Sequence, residues 1–222
     1  MRQARFLIFL FTLLLSSCAI LDGWKTGEDE FRIVDSVMSS AEFQKENLPE
    51  RALSVLVLSN NEDSAAYVEK QFERASALLH DQVGIRLAVT YIRNDAWRAR
   101  SFLDLVVGLN RASYQYPNHD ILIGLALNVP EEERVCQRGF LGEKSCISGF
   151  VFGDRRIALQ KINVEVIVHE ISHFFLGISH SPAGIMMSIP QGFYFSVADR
   201  KRFLAAKWKD THSSPQSTRI HR

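Results

Sequence analysis

The run His169-Glu170-Ile171-Ser172-His173, followed by Gly177 and His180, gathers three imidazoles and one carboxylate within twelve residues. Residues four apart share a helix face, so on a helix His169 and His173 can turn both rings towards one metal ion. Glu170 stands about 100° further round the same helix, within reach of a water held by that ion. A nitrogen from His180, placed after the helix ends, would complete three protein ligands and leave the fourth tetrahedral position to the water. Those residue types at that spacing describe a hydrolytic site built on one zinc ion, with Glu170 as general base.

The third ligand follows by elimination. Downstream of Glu170 the chain has no glutamate, and its only acids are Asp199 and Asp210, which excludes zinc proteases that take their third ligand from a later helical Glu. His180, Asp199 and His212 are left. His180 is nearest and follows a glycine turn. Asp199 lies three residues after Ser196, where a capping or dipole-stabilising role suits it better. His212 falls in a polar tail. His180 is the choice.

The stretch HEISHFFLGISHSPAGIMMSIP resembles the metzincin zinc proteases, whose signature is HExxHxxGxxH followed by a methionine-containing turn. The portion SPAGIMMSIP and then SVADRKRFLAAKW is similar to the turn and final helix of matrix-metalloproteinase-like domains, and the close resemblance covers roughly residues 160–208. It implies an endopeptidase acting on protein or peptide, and a turn methionine at Met186 or Met187, with Met186 preferred because it follows Gly184-Ile185. The chain departs from the pattern in one respect. Three residues, Phe174, Phe175 and Leu176, separate the second His from the Gly where the family has two. A longer last turn, a π-bulge or a different exit from the helix must absorb the extra one.

The elements that must position this site can be read around it. Asn163 is a good N-cap for a helix whose apolar face is Val164, Ile167, Val168, Ile171, Phe174 and Phe175, and Gly177 stands where a left-handed turn would end it. Upstream, an apolar strand is expected over Leu53–Leu58, a helix over Ser64–His80 capped by Ser64, and a strand over Ile85–Ile92 after Gly84. A second helix follows near Asp95–Ala112, a buried strand over Asp120–Leu127, and two short strands within Gly149–Leu159 around Gly153-Asp154. A closing helix runs from Val197 to about Lys209. This order predicts an α+β fold: a mixed twisted sheet covered by helices. Its resemblance is to the zincin-like fold, with the zinc helix below the edge strand, and the best edge is Ser148–Gly153. In that family the edge pairs with an extended substrate. His119 reads as a turn or surface residue and stays outside the site.

Residues 1–17 read as a targeting segment, with Arg2 and Arg5 before an apolar run from Phe6 to Leu15 too short for a comfortable membrane span. Leu15-Ser16-Ser17-Cys18 resembles a bacterial lipobox, which makes Cys18 the lipid-bearing residue and a membrane anchor. The residues after it, Ala19 and Ile20, lack an inner-membrane retention aspartate. By resemblance to bacterial lipoproteins this implies the cell envelope, at the outer membrane. Residues 18–50 then form a tether with an amphipathic helix over Glu28–Ser40, residues 51–209 the metalloprotease domain, and residues 210–222 a disordered tail. The remaining cysteines, Cys136 and Cys146, are separated by nine residues and suit a disulfide in an oxidising compartment.

The 222 residues carry a formal charge of +1, and loss of residues 1–17 removes two arginines and no acid, leaving −1. That near-neutral balance, with only short basic runs, argues against a nucleic-acid partner. About two hundred residues suit one core, read here as a monomer. Two rival readings remain at this point: a zinc-bearing envelope lipoprotein that binds a partner without cleaving it, and a metal-free structural lipoprotein. The presence of Glu170 favours the hydrolase, since a structural zinc site needs no base.

Overall fold

The computed structural model describes residues 48–60, 63–93, 97, 102–127, 136–138, 144–146, 148–153, 155–187 and 192–209. Strand β1 (Arg51–Ser59) leads into helix α1 (Ala65–Val83), strand β2 (Ile85–Arg93), helix α2 (Phe102–Gln115) and strand β3 (Ile121–Leu125). A small hairpin, β4 (Cys136–Arg138) and β5 (Lys144–Cys146), precedes β6 (Gly149–Phe152) and β7 (Arg156–Leu159). Helix α3 (Val164–Leu176), a 3-10 turn (Gly184–Met186) and helix α4 (Val197–Ala206) complete the order.

Five strands form one sheet in the order β2-β1-β3-β7-β6. The first four run parallel and β6 returns antiparallel to β7, with Gly149 opposite Leu159 and Phe152 opposite Arg156. The architecture is therefore α+β with a mixed sheet, as expected. Alternation along β1 divides the core in two, because successive side chains leave a strand on opposite faces. Leu53, Val55 and Val57 pack with Phe72 and Leu79 of α1 and Ile167, Val168 and Ile171 of α3. Leu56 and Leu58 face the other way, onto Leu105, Leu109 and Ala112 of α2. Two helices thus cover one face and α2 the other, which is why the central strands read as continuous apolar runs. Among the described residues, no helix is long and apolar enough to cross a membrane.

Several expectations need correction. The second helix is Phe102–Gln115, running past the expected end at Ala112. Trp97 stands outside it and is used for packing. Its indole N–H donates to the Leu125 carbonyl at 2.9 Å, and its ring lies where side chains on Gly108 and Gly124 would fall. Ser64 occupies the N-cap position of α1, but its side chain makes no capping bond. The third strand stops at Leu125, and the closing helix at Ala206, where Arg51 reaches the carbonyls of Lys207 and Lys209. The cysteine loop forms a two-stranded ladder in which Cys136 and Cys146 are backbone partners. Cys18, the helix expected over Glu28–Ser40 and the tail 210–222, with His212, lie outside the described residues.

Candidate metal centre

Helix α3 owes its start to Asn163, whose side-chain oxygen accepts from the Val166 N–H at 2.8 Å, satisfying one of the donors a helix leaves open at its N-terminus. From there the helix runs through the interior, and only Glu165 and Phe174 of its thirteen residues escape full burial. His169, Glu170 and His173 are therefore polar groups taken out of water. Such groups need partners or a purpose.

Both imidazoles on the helix are held by main-chain carbonyls. His169 Nδ1 lies 2.8 Å from the Ile185 oxygen, and His173 Nδ1 lies 2.7 Å from the Gly177 oxygen. A carbonyl oxygen only accepts, so each Nδ1 carries the hydrogen and each neutral ring presents a bare lone pair at Nε2. Those two Nε2 atoms face each other at 3.0 Å. Two lone pairs at that distance repel unless a cation sits between them. A proton is disfavoured: burial first, then His173 and His180, push the His169 ring down to about 4. Burial likewise lowers His173 and His180.

His180 completes the cluster. Its ring centroid lies 5.2 Å from that of His169 and 5.2 Å from that of His173, and the nitrogens the three rings offer fall within 4.8 Å of one another. Two nitrogens on a tetrahedral zinc at about 2.0–2.1 Å stand about 3.3–3.4 Å apart, close to the His169–His173 separation. Three neutral imidazoles, two of them with their hydrogens held by main-chain carbonyls, suit zinc or another borderline divalent metal.

The extra residue before Gly177 is taken up by an ordinary helical turn, without a bulge. The Gly177 N–H donates to the His173 carbonyl at 2.9 Å, so the α-helical pattern runs to the last position. Phe175 stacks on Phe203 of α4 at 4.5 Å, and the Leu176 carbonyl accepts from Arg202 at 2.9 Å. Gly177 itself has φ 80° and ψ −176°, a conformation almost confined to glycine. Its carbonyl then returns to His173, and the chain turns back to deliver His180.

Around the rings, the polypeptide fixes what the helix alone cannot. Met186 is fully buried in the 3-10 turn, whereas Met187 is only partly so. The neighbouring Ile185 both supplies the carbonyl for His169 and donates its N–H to the Tyr194 carbonyl at 2.9 Å. The segment carrying Tyr194 is clamped in turn by Gln82 at the end of α1, whose amide donates to the Phe193 carbonyl at 2.5 Å and accepts from Phe195 N–H at 2.8 Å. Asp199 is buried and ties the far side of the loop: Ser181, next to His180, donates to Oδ1 at 2.6 Å, and Ser196 donates to Oδ2 at 2.8 Å. Among the described residues it is not grouped with the three imidazoles. Its Ser-x-x-Asp spacing signalled the cap, but nothing in the sequence signalled the bond to Ser181, nor the clamp by Gln82.

Glu170 sits against Gly149 of β6, and among the described residues no cation is paired with it. Burial pushes its carboxyl up to about 8 in the metal-free protein. His119 lies beside Tyr116, with ring centroids 6.5 Å apart, and is not part of the cluster. No protein-family model matches this chain, and no curated protein matches it.

Proposed function

We propose that this protein is a membrane-anchored, zinc-dependent endopeptidase of the zincin type, related in its site to the metzincins. The observation that carries the reading is the facing pair of Nε2 lone pairs, joined by His180 and accompanied by one buried carboxylate on the same helix. A structural zinc site would be closed by four protein ligands, whereas three imidazoles leave room for substrate. The parallel sheet with an antiparallel edge strand, the helix packed against it and the buried Met186, next in sequence to the Ile185 that holds His169, support the zincin assignment.

His169, His173 and His180 would hold the ion. Zinc bound there would polarise the scissile carbonyl and lower the pKa of a water molecule. Glu170 accepts the attacking water's proton on a carboxylate oxygen and passes it to the departing amine nitrogen, base and then acid. Among the described residues strand β6 ends the sheet order, and an edge there suits an extended peptide paired alongside the site. Cys18, read as lipid-bearing, would tether the domain in the bacterial envelope, at the outer membrane.

The test is direct. The purified protein is expected to bind one zinc per chain and to cleave members of a peptide library, with activity lost to a chelator and restored by zinc. Glu170→Gln is expected to keep the zinc and lose cleavage by about a hundredfold or more. Equal cleavage by that variant would remove Glu170 from its role.

A further inference from the structure

Strand β6 begins with a glycine whose conformation does not require one. Gly149 is absent from the glycines with positive φ, so its backbone would accept any residue. Space gives the reason for it. A Cβ at Gly149 would lie 2.6 Å from Glu170 Cγ, 2.6 Å from Oε1 and 2.8 Å from Cδ, closer than such contacts occur. Among the described residues the three nearest atoms all belong to the Glu170 side chain, and two of them are atoms of the carboxylate itself.

Something would have to yield, and the strand is the better anchored partner. The Ser148 carbonyl accepts from both Gln160 N–H at 2.9 Å and Lys161 N–H at 3.1 Å, fixing the residue before Gly149 to the end of β7. The next four residues pair with β7 in register. Glu170, by contrast, ends in rotatable bonds. A methyl group at position 149 would therefore leave the sheet in place and swing the carboxylate aside.

We propose that Gly149 is a positioning residue for Glu170: its missing side chain is the berth in which the carboxylate lies against the edge strand. The inference rests on the peptidase reading and adds to it a second requirement, outside the histidine motif. The berth also puts the base directly beneath the strand on which substrate would pair, so one small residue sets both the height of the base and the closeness of the peptide.

Gly149→Ala in the full chain tests it. The variant is expected to fold and to hold one zinc with unchanged affinity. Its kcat should fall about tenfold to a hundredfold with KM within about twofold, the loss expected when a reacting group is misplaced by about 1 Å. In a Glu170→Gln background the same change should cost nothing further, because no working base remains to misplace. A crystal structure of the variant should show the Glu170 carboxylate displaced and the three imidazoles where they were. Unchanged kcat, loss of zinc together with activity, or a shifted strand above an unmoved carboxylate would each overturn the proposal. If Gly149→Ala fails to fold, Gly149→Ala with Glu170→Ala should fold, since the atoms the methyl strikes are gone; failure of the double variant overturns it too. A wild-type protein that binds zinc but cleaves no peptide would remove the peptidase reading, while the crystal structure would still decide whether Gly149 seats the carboxylate.

Discussion

Glu170 and His169 titrate in opposite senses in the metal-free protein, and the signs can be separated. His169 binds its proton less readily when folded, at about 4 against an ordinary 6.5. Its contribution to stability is complete above pH 6.5 and is lost as pH falls towards 4. Glu170 holds its proton more tightly when folded, at about 8 against 4.5. Its contribution is complete below pH 4.5 and is lost as pH rises through 8. Glu170→Gln removes only the second effect. The metal-free variant should therefore exceed the metal-free wild type in unfolding free energy by a margin that grows from pH 4.5 to 8, reaching on the order of 3–5 kcal/mol. Denaturant unfolding at a series of pH values with a chelator present measures it, and a constant margin would contradict it. Asp199 makes a different prediction. Because it holds Ser181 beside His180, Asp199→Asn should weaken zinc binding by about tenfold while leaving the helix pair His169 and His173 in place. Competition with a chromophoric chelator would report it.

At the scale of elements, Gly177 is the joint that decides whether His180 arrives. A side chain there would meet nothing within 4 Å, so only the positive φ opposes it. Gly177→Ala is thus expected to cost about 1–3 kcal/mol of stability and to weaken zinc binding, without overpacking the core. Thermal unfolding with and without zinc separates the two effects. The hairpin offers a second prediction. Cys136 and Cys146 are opposite each other in an antiparallel ladder, where Cα atoms are about 4.5–5.5 Å apart, inside the range a disulfide spans. Peptide mapping of the protein exported under oxidising conditions should find the pair joined, and free thiols at both positions would refute it. The sequence made the α3 boundaries plain, because Asn163 and Gly177 are strong local signals that tertiary structure did not override. It counted Trp97 into α2, because that residue looks helical until its ring is seen against Gly108 and Gly124. A cysteine loop of mixed polarity carries no period, so β4 and β5 were not legible either.

At the scale of the whole molecule, the fold puts distant chain segments to work on a few atoms. The α+β class and the mixed sheet covered by helices were legible, since strands alternated with helical patterns, whereas the strand order was not. The histidine trio was legible as well, because a metal demands ligand types at helical spacing that few other purposes need. The shell around it was not. Gln82 is more than a hundred residues from the segment it clamps, and no local pattern marks a pairing that only the packing of α1 near the start of α4 creates. Gly149 was legible as a strand residue but not as a partner of Glu170, for the same reason. The same long-range assembly makes the zinc site a property of the folded domain, so metal should raise the unfolding temperature.

X-ray absorption at the zinc edge of the loaded protein asks the central question with least intervening assumption. The account predicts three histidine nitrogens and one exchangeable oxygen at about 2.0–2.1 Å, with one nitrogen lost in His180→Ala. A fourth protein ligand closing the site, or a spectrum unchanged by that substitution, would contradict it.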